Sequence, residues 1–426
     1  MTLALRSTLH DLILKGAYHP KAWKLARLYG GQMVAGGLAL LYSWYVSRLL
    51  GATDFGRFAF LRALLAYLGL FAELGLAMST SRLLALSNDS KEQSSLCGAW
   101  LVLFSPILLL CGVIVASGEW WLDAVFKMHV GENLLFLALP AIGIPMHMAL
   151  RLLLRGANDT DLLVIHELLP WLLALLTAAL LRYFHWISGF TLILSYTIAH
   201  FFTVIVLLTK LEVNLFTSFK FIYQLLTETR NFGLRAYWGL IVGTGSFQLD
   251  VPLLAYFTHD THAIGFYSLA KMIVAPISIL STAVGITFFR RFAISHKLPK
   301  GLVAFNLLWL TIASSVLAIG AKPIVKAFLP EYSSLILVLY VWIIAAFIQG
   351  IYYLPNSLLN AAGYGQALQV MANSFAIVNL VLNFTLIPLL GVIGASLASA
   401  IAYLFWLMLC LYYYKKIEQS TSILES

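Results

Sequence analysis

The stretch GRFAFLR at residues 56–62 and the stretch GFYSLAK at residues 265–271 occupy equivalent places in two halves of one chain. The same offset pairs Gly30 with Gly239, Gly36 with Gly245 and Arg82 with Arg291. Glycine occupies only 29 of 426 positions, so chance gives about 0.3 glycine pairs over a stretch of about 60 residues. We therefore interpret the chain as an internal repeat whose two halves share one helix pattern.

The composition indicates a membrane protein. Apolar residues make up 61% of the chain and charged residues only 11%, outside the range of water-soluble domains. A spanning helix needs about 20 mostly apolar residues, and short polar breaks divide this sequence into twelve such segments. No interval between them is long enough to bury a separate core. We predict an all-α integral membrane protein with about twelve transmembrane helices.

The twelve predicted spans fall into two sets of six. They cover residues 23–50, 55–77, 96–115, 134–154, 162–181 and 186–208, then 234–256, 263–289, 302–319, 335–361, 368–387 and 392–413. An even number of spans per half gives both halves the same orientation, so the repeat is parallel about a pseudo-twofold axis along the membrane normal. We predict that the chain begins with an interfacial N-terminal segment at 1–22, which includes an amphipathic helix over 9–18. It continues with a six-helix bundle at 23–209, a cytoplasmic linker at 210–232, a second six-helix bundle at 233–414 and a cytoplasmic tail at 415–426.

The formal charge of +9 reflects topology. Most of the 27 Lys and Arg residues fall in one alternating set of loops, the set that includes both termini, and this positive-inside bias predicts that both termini are cytoplasmic. A nucleic-acid partner is not indicated. Cys97, Cys111 and Cys410 lie in or beside spans, and no nucleophile elbow, P-loop or zinc-ligand spacing occurs. We expect no metal, no cofactor and no enzymatic reaction.

Arg62, Lys271 and Asp250 lie inside predicted spans, where a charged residue needs a partner or a watered cavity. Arg62 and Lys271 are repeat equivalents, about two turns from the outer ends of the second and eighth spans, and Asp250 lies at a similar depth in the seventh. In one interpretation Asp250 and Lys271 neutralise one another while Arg62 snorkels outward. In the other, Arg62 and Lys271 face each other across a central cleft and bind an anion such as a diphosphate.

Further polar and flexible positions extend this hypothesis. Glu73 shares the helix face of Arg62, and together with Asp250 it is a candidate for ion coupling, although it is equally a candidate structural partner of Arg82 or Arg291. Arg82 and Arg291 themselves are candidates for an inner gate. The candidate cavity-lining residues, for which packing is the alternative, are Gln32, Gln248, Asn356, Asn360, Asn379 and Asn383. The candidate hinges, for which close helix packing is the alternative, are Gly30, Gly36, Gly239 and Gly245. We interpret His147, His166 and His200 as hydrogen-bonded packing residues.

Three stretches resemble a known family. They are RLLGATDFGRF at residues 48–58, IGFYSLA at residues 264–270 and LNFTLIPLLGVIGAS at residues 382–396. They are similar to Wzx-type polysaccharide flippases of the multidrug/oligosaccharidyl-lipid/polysaccharide exporter (MOP) superfamily. The resemblance spans both halves and nearly the full chain.

The resemblance implies a V-shaped, MATE-like pair of six-helix bundles around a cationic cavity. It implies alternating access that moves an undecaprenyl-diphosphate-linked oligosaccharide, an O-antigen or other surface polysaccharide unit, across the bacterial cytoplasmic (inner) membrane. Lipid II flippases of this superfamily carry basic residues on their second and eighth helices, as Arg62 and Lys271 do here, but have two more spans than the twelve predicted. The implied partners are the polyprenyl-diphosphate-linked glycan, membrane lipid, and polymerase or assembly proteins of polysaccharide and lipopolysaccharide biosynthesis.

Two alternative functions remain open at this stage. A drug or cation antiporter of the same superfamily would favour acidic residues in the cavity. An O-antigen polymerase or ligase would carry a sizeable outer loop with catalytic side chains, whereas the longest predicted outer loop, at residues 117–132, is short and aromatic.

Overall fold

The computed structural model describes residues 20–87, 89–128, 130, 133–211, 213–216, 219–295, 297–328, 330–332 and 335–425. Within these residues the chain is helical and contains no β-strand. The prediction of an all-α protein is thus confirmed. The amphipathic helix predicted over residues 9–18 lies outside the described residues.

Eight α-helices form the first half of the chain. They are α1 Pro20–Ala72, α2 Leu76–Leu86, α3 Ser90–Ala116, α4 Gly118–Phe126, α5 Leu134–Ala141, α6 Gly143–Gly156, α7 Thr160–Tyr183 and α8 Gly189–Lys210. Helix α1 contains two predicted spans, because Gly51 has φ 71° and ψ 179° and turns the chain there. Only glycine adopts such a conformation without strain. Residues 20–50 are α1a and residues 52–72 are α1b.

The segment predicted as a linker contains a helix. Helix α9 (Phe219–Glu228) lies inside the predicted linker and continues into a π-helical turn at Thr229–Gly233. The remaining helices are α10 Leu234–Leu240, a second π-helical turn Ile241–Gly245, α11 Ser246–Gln248, α12 Asp250–Thr258, α13 Thr261–Thr287, α14 Phe289–Ser295, α15 Lys300–Phe328, a 3-10 turn Pro330–Tyr332, α16 Leu335–Ala361 and α17 Gly365–Glu425. Gly391, with φ 56°, breaks α17 into residues 365–390 (α17a) and 392–425 (α17b).

The described helices agree with the predicted number of spans. Nine are long and apolar enough to cross a membrane, and a tenth span is formed if the bent pair Phe219–Gly245 and Asp250–Thr258 counts as one. Helices α1 and α17 each contain two spans divided by a glycine, which brings the described total to twelve. The predicted seventh span, residues 234–256, is not one straight helix, because its two parts meet at an angle of 55° immediately before Asp250.

The two halves meet tightly where α1b crosses α13. A Cβ added to Gly56 would overlap the carbonyl oxygen of Thr261, and one added to Gly265 would overlap that of Ala52. Gly56 and Gly265 are repeat equivalents, so the crossing lies where the sequence pattern of the two halves coincides. Only residues without a side chain permit so close an approach of two backbones. We call this region, next to the turn at Gly51, the Gly51 end.

A second set of contacts between the halves lies at the other end of α1b. The Tyr67 hydroxyl donates to the carbonyl of Gly245 at 2.6 Å, and the Tyr237 hydroxyl donates to the carbonyl of Phe71 at 2.9 Å. A Cβ on Gly75 would lie 2.6 Å from the carbonyl oxygen of Gly233. We call this region, which includes Arg82, the Arg82 end. The central space between the halves is therefore bounded at both ends by contacts between them.

Candidate functional site

Arg62 and Lys271 line the same cavity between the two halves. The cavity has a volume of about 470 Å³ and is bounded by α1, α7, α8, α13 and the segment around Gln248. The Arg62 guanidinium donates to the Ser43 hydroxyl at 3.3 Å and lies 5.9 Å from the ring centre of Phe58. No carboxylate of a described residue lies within 4.0 Å of it. Arg62 therefore keeps its charge and most of its hydrogen-bond donors available to the cavity.

Lys271 lies between this cavity and a buried acid. Its Nζ is 3.6 Å from Asp250 Oδ2, and its side chain is 34% exposed whereas that of Asp250 is 3% exposed. The same ammonium group lies 5.5 Å from the ring centre of Trp342 and 5.9 Å from that of Tyr267. Lys271 thus has the ion pair with Asp250 that one interpretation of the sequence required, and it also lines the cavity that the other required.

Asp250 is held by a buried polar network in the second half. Its Oδ2 accepts a hydrogen bond from Tyr267 at 2.5 Å and one from Ser399 at 3.0 Å, and its Oδ1 accepts one from Asn383 at 3.1 Å. Asn383 in turn donates to Asn379 at 2.6 Å. Buried charge requires partners of this kind, since an unpaired carboxylate in a dry site is strongly disfavoured. Asn379 and Asn383 thus belong to the Asp250 network, and neither lines a cavity described here.

A second cavity of about 420 Å³ adjoins the first and shares Gly36, Lys271, Ala275 and Ile279 with it. Its wall combines aromatic rings with neutral polar groups. The residues that provide them are Gln32, Ser278, Thr282, Trp342, Gln349, Tyr353 and Tyr403. Gln32 lines this second cavity, and Gln248 lines the first. Among the described lining residues of both cavities there is no Asp or Glu.

Asn356 and Asn360 lie outside the lining of both cavities. Asn360 is exposed near the end of α16. Asn356 is half-buried, and its Oδ1 has no hydrogen-bond partner among the described residues.

Glu73 lies at the junction of α1b and α2. Its carboxylate accepts hydrogen bonds from the backbone N–H of Gly75 at 2.6 Å and of Met78 at 2.8 Å. The chain turns here through Leu74 and Gly75, both with positive φ, so the carboxylate satisfies the otherwise free N–H groups at the start of α2. Glu73 is thus a helix cap at the Arg82 end, and its described contacts include neither Arg82 nor Arg291.

The ionic contact at the Arg82 end joins the two halves. Arg82 Nη1 donates to Glu228 Oε1 at 2.6 Å, and the Arg82 guanidinium lies 4.8 Å from the ring centre of Phe232. Arg291, the repeat equivalent of Arg82, is exposed on α14. The partner of Arg82 is therefore an acid of the segment that the sequence assigned to the linker. The repeat alone could not identify Glu228 as the partner, because the repeat equivalent of Arg82 is a second cation, Arg291.

The candidate hinge glycines differ in their surroundings. A Cβ on Gly30, Gly36 or Gly239 would meet nothing within 4 Å, so these three glycines do not serve close helix packing. A Cβ on Gly245 would lie 3.4 Å from Leu70 Cδ2, and the carbonyl of Gly245 accepts a hydrogen bond from Tyr67. Gly245 also ends the second π-helical turn, just before the bend at Asp250. Single π-turns interrupt the regular ladder and often accompany functional bends.

Sequence reasoning missed several residues of the site. The aromatic wall of Trp342, Tyr353 and Tyr403 comes from α16 and α17b, whose aromatic residues are numerous and show no pattern that separates cavity from core. Gln349, a lone amide within a predicted span, carried the same signal as Gln32 and Gln248 and could have been included.

Comparison with known proteins supports the architecture. Residues 24–293 match the family model described as polysaccharide biosynthesis protein. The curated proteins gave no match. Among solved structures, the lipid II flippase MurJ in an inward closed conformation aligns with a TM-score of 0.71 and 16% identity, covering 92% of this chain and 90% of that one.

Two further structures share the fold. An inward-facing multidrug resistance MATE family transporter of the MOP superfamily aligns with a TM-score of 0.72 and 13% identity, covering 93% of this chain and 99% of that one. A MOP superfamily transporter from Pyrococcus furiosus, described by a binding pocket of reverse polarity, aligns with a TM-score of 0.56 and 13% identity, covering 93% of this chain and 95% of that one. These similar structures are transporters or flippases. The family match covers well over half of the chain, which therefore belongs to the polysaccharide biosynthesis protein family and has the fold of the MOP superfamily.

Proposed function

We propose that this protein translocates a polyprenyl-diphosphate-linked oligosaccharide across the membrane by alternating access. The observation that carries the proposal is the charge of the central cavity, which is lined by Arg62 and Lys271 and by no described acidic residue. The positive potential of such a site stabilises a bound anion and destabilises a bound cation. The guanidinium of Arg62 offers a fork of donors that fits phosphate oxygens, and Lys271 adds a mobile point charge.

The adjoining cavity suits the glycan. Sugars present hydroxyl groups on their edges and apolar C–H surfaces on their faces, so their sites combine amides and hydroxyls with aromatic rings. Gln32, Gln349 and Ser278 supply the polar groups, and Tyr353 and Tyr403 supply rings. The lipid tail, an undecaprenyl chain in this proposal, remains in the bilayer between the halves. An O-antigen or other surface polysaccharide unit fits this division of the cavity.

Alternating access requires that contacts at the two ends break in turn. The bundles at residues 23–209 and 233–414 act as the moving units. Gly56 and Gly265 form the closure at the Gly51 end, and the pair Arg82 and Glu228 forms the closure at the Arg82 end. With cytoplasmic termini in a bacterial inner membrane, the Arg82 end is the inner gate.

Bending of the first and seventh spans accompanies these changes. A Cβ on Gly30, Gly36 or Gly239 would meet nothing within 4 Å, and Gly245 lies beside the existing bend of 55°. Asp250 follows that bend directly, so a change in the bend alters the surroundings of a buried carboxylate. Asp250 is therefore the proposed site of ion coupling in the second half. Glu73, the other candidate, has its carboxylate occupied by the backbone of α2.

The competing functions are distinguished by what the purified protein does to a defined substrate. The protein is placed in proteoliposomes with a fluorescent polyprenyl-diphosphate oligosaccharide, and exposure of the glycan on the opposite leaflet is followed with an impermeant reagent. Flipping without change in glycan length supports the proposal. Elongation or transfer of the glycan would indicate a polymerase or ligase. Uptake of a lipophilic cation such as rhodamine 6G, without glycan flipping, would indicate a drug antiporter. Partners such as a polysaccharide polymerase would then be sought by cross-linking in the native membrane.

A further inference from the structure

Three histidines outside the anion site come together in the first half. His147 on α6, His166 on α7 and His200 on α8 are separated along the chain by 19 and 34 residues, yet their rings are in contact. The rings of His147 and His166 are stacked with centroids 3.7 Å apart, and His200 meets His147 edge to face at 4.9 Å. The three rings thus form one cluster between α6, α7 and α8.

Backbone carbonyls fix the tautomer of each ring. His147 Nε2 donates to the carbonyl of His166 at 3.1 Å, and His166 Nε2 donates to the carbonyl of His147 at 2.8 Å. His200 Nδ1 donates to the carbonyl of Tyr196 at 2.8 Å. A carbonyl oxygen only accepts, so these nitrogens carry the hydrogen and the other nitrogen of each neutral ring is a basic lone pair.

The lone pair of His166 has the surroundings of a proton acceptor. His166 is 2% exposed, and its Nδ1 has no hydrogen-bond partner among the described residues. The nearest acid is Glu167, whose Oε1 lies 3.9 Å away and also 2.8 Å from Arg151 Nε. A proton on Nδ1 would therefore face a carboxylate within reach, and no other donor occupies the position.

The cluster is in contact with the wall of the anion site. The ring of His200 lies 4.3 Å from that of Tyr196 and 5.9 Å from that of Trp171, and both aromatic residues line the cavity that contains Arg62. A change at the cavity wall can therefore be transmitted to the histidines through packed side chains.

Charged groups of several helices lie around the cluster. Glu167 follows His166 on α7. Asp161, five residues before His166 on the same helix, pairs with Arg27 of α1a. Arg151 on α6 pairs with Glu167, and Arg155 lies one turn further along the same helix. Arg62 on α1b lines the cavity whose wall includes Tyr196, the residue that His200 contacts. Tyr196 on α8 is neutral at ordinary pH. A diphosphate bound at Arg62 would offset the positive charge behind the aromatic wall that His200 contacts, and would thereby favour a proton on the cluster.

We propose that His166, fixed by His147 and paired with Glu167, is a proton-binding site whose occupancy is linked to anion binding at Arg62. This inference rests on the proposed function, because it assigns the anion to the transport cavity. It gives the first half a proton site independent of Asp250 in the second half. By linkage, a proton on His166 strengthens diphosphate binding by the same factor by which the diphosphate strengthens proton binding.

The test measures protons taken up when an anion binds. Full-length protein in nanodiscs is titrated with farnesyl diphosphate by calorimetry in buffers of different ionisation enthalpy, which gives the number of protons exchanged. Protons exchanged by the ligand itself are common to all variants, so only differences between them count. We expect His166→Gln to lose the binding-linked uptake and to bind the ligand unchanged at alkaline pH. The control is His185→Gln, an exposed histidine between α7 and α8, which should behave as the wild type. Wild-type uptake in His166→Gln would overturn the proposal.

Two further measurements keep the proton site testable by itself. If His166→Gln does not fold, Glu167→Gln leaves the three rings in place and should reduce the uptake, and unchanged uptake would overturn the proposal. The ¹⁵N signals of His166 in the unliganded protein should move from the Nε2–H form towards imidazolium on acidification, at lower pH in Glu167→Gln. An His166 that does not titrate, or titrates identically in Glu167→Gln, would refute the proton site. Absence of farnesyl diphosphate binding to the wild type would instead refute the anion site, and the ¹⁵N titration would still decide the first question.

Discussion

The substitution Arg62→Ala tests the anion site most directly, because little else depends on this side chain. The guanidinium has one long hydrogen bond, 3.3 Å to Ser43, and no described carboxylate within 4.0 Å. Its removal leaves no buried charge without a partner, so the free energy of unfolding should change by less than about 1 kcal/mol. A hydrogen bond to a charged group contributes about 1.5–3 kcal/mol. Since about 1.4 kcal/mol corresponds to a tenfold change in Kd, binding of the diphosphate should weaken by about 10- to 150-fold.

The companion variants separate charge from geometry. Arg62→Lys keeps the charge but loses the fork, so it should retain part of the affinity. Lys271→Ala should weaken binding too, but it removes the ionic partner of buried Asp250 and so also lowers stability. The matched control is Arg57→Ala on the same helix, an arginine that pairs with Asp54 at 3.2 Å and lies outside both cavities.

The assay is binding of farnesyl diphosphate to protein in nanodiscs, followed by flipping of the polyprenyl-diphosphate glycan in proteoliposomes. Both should fall in Arg62→Ala and remain at the wild-type level in Arg57→Ala. The melting temperature of each variant is measured alongside. If Arg62→Ala binds within twofold of the wild type, the anion does not contact Arg62 and the diphosphate assignment is wrong.

Three further predictions concern closure and coupling. Gly56→Ala should block closure of the Gly51 end and strongly reduce flipping, because the new Cβ overlaps the backbone of α13. The control is Gly37→Ala, where a Cβ meets nothing within 4 Å; this variant should flip normally and gain up to about 1 kcal/mol of stability. Charge reversal of Arg82 or Glu228 alone should increase labelling of the cavity from the Arg82 side, and exchange of both charges should return the labelling to the wild-type level. The expected coupling energy is about 0.5–1 kcal/mol for a partly exposed pair. If the double exchange does not lower the labelling again, the pair is not the gate. Asp250→Asn should remain folded but lose the stimulation of flipping by an imposed ion gradient. Asp250→Ala should lower the free energy of unfolding by about 3–5 kcal/mol. If the gradient still stimulates flipping in Asp250→Asn, the coupling lies elsewhere.

Much of the fold could be predicted from local patterns. Apolar segments of spanning length fix the number of helices, because the bilayer leaves a backbone polar group no partner outside its own helix. The glycine frame identified the repeat, and its match of Gly56 with Gly265 corresponds to a real crossing of two backbones. Local patterns identified Gly239 and Gly245 as candidate hinges of the seventh span, with close packing as the alternative. They did not predict the 55° bend before Asp250, because glycines that serve close packing leave a span straight.

The site residues were predictable only in part. Charges in spans are rare and costly, so Arg62, Lys271 and Asp250 stood out from the sequence alone. The partners did not stand out. Glu228 falls in the predicted linker. Asn379 and Asn383, candidates for cavity lining or for packing, belong to the network around Asp250. Their environment depends on which helix faces which, and periodicity within one helix carries no information about its neighbour.

The sequence by itself determined that this protein is a membrane-embedded tandem of helices with a basic residue at equivalent depth in each half. Those properties follow from hydrophobicity and spacing, which act over one or two helix lengths. Only the tertiary structure decided that Arg62 lines a cavity with no acidic partner among the described residues, that Lys271 pairs with Asp250, and that three histidines from three helices form one cluster. The physical reason is that desolvation and pairing depend on distances across the fold, and residues far apart in the chain acquire those distances only when the helices pack.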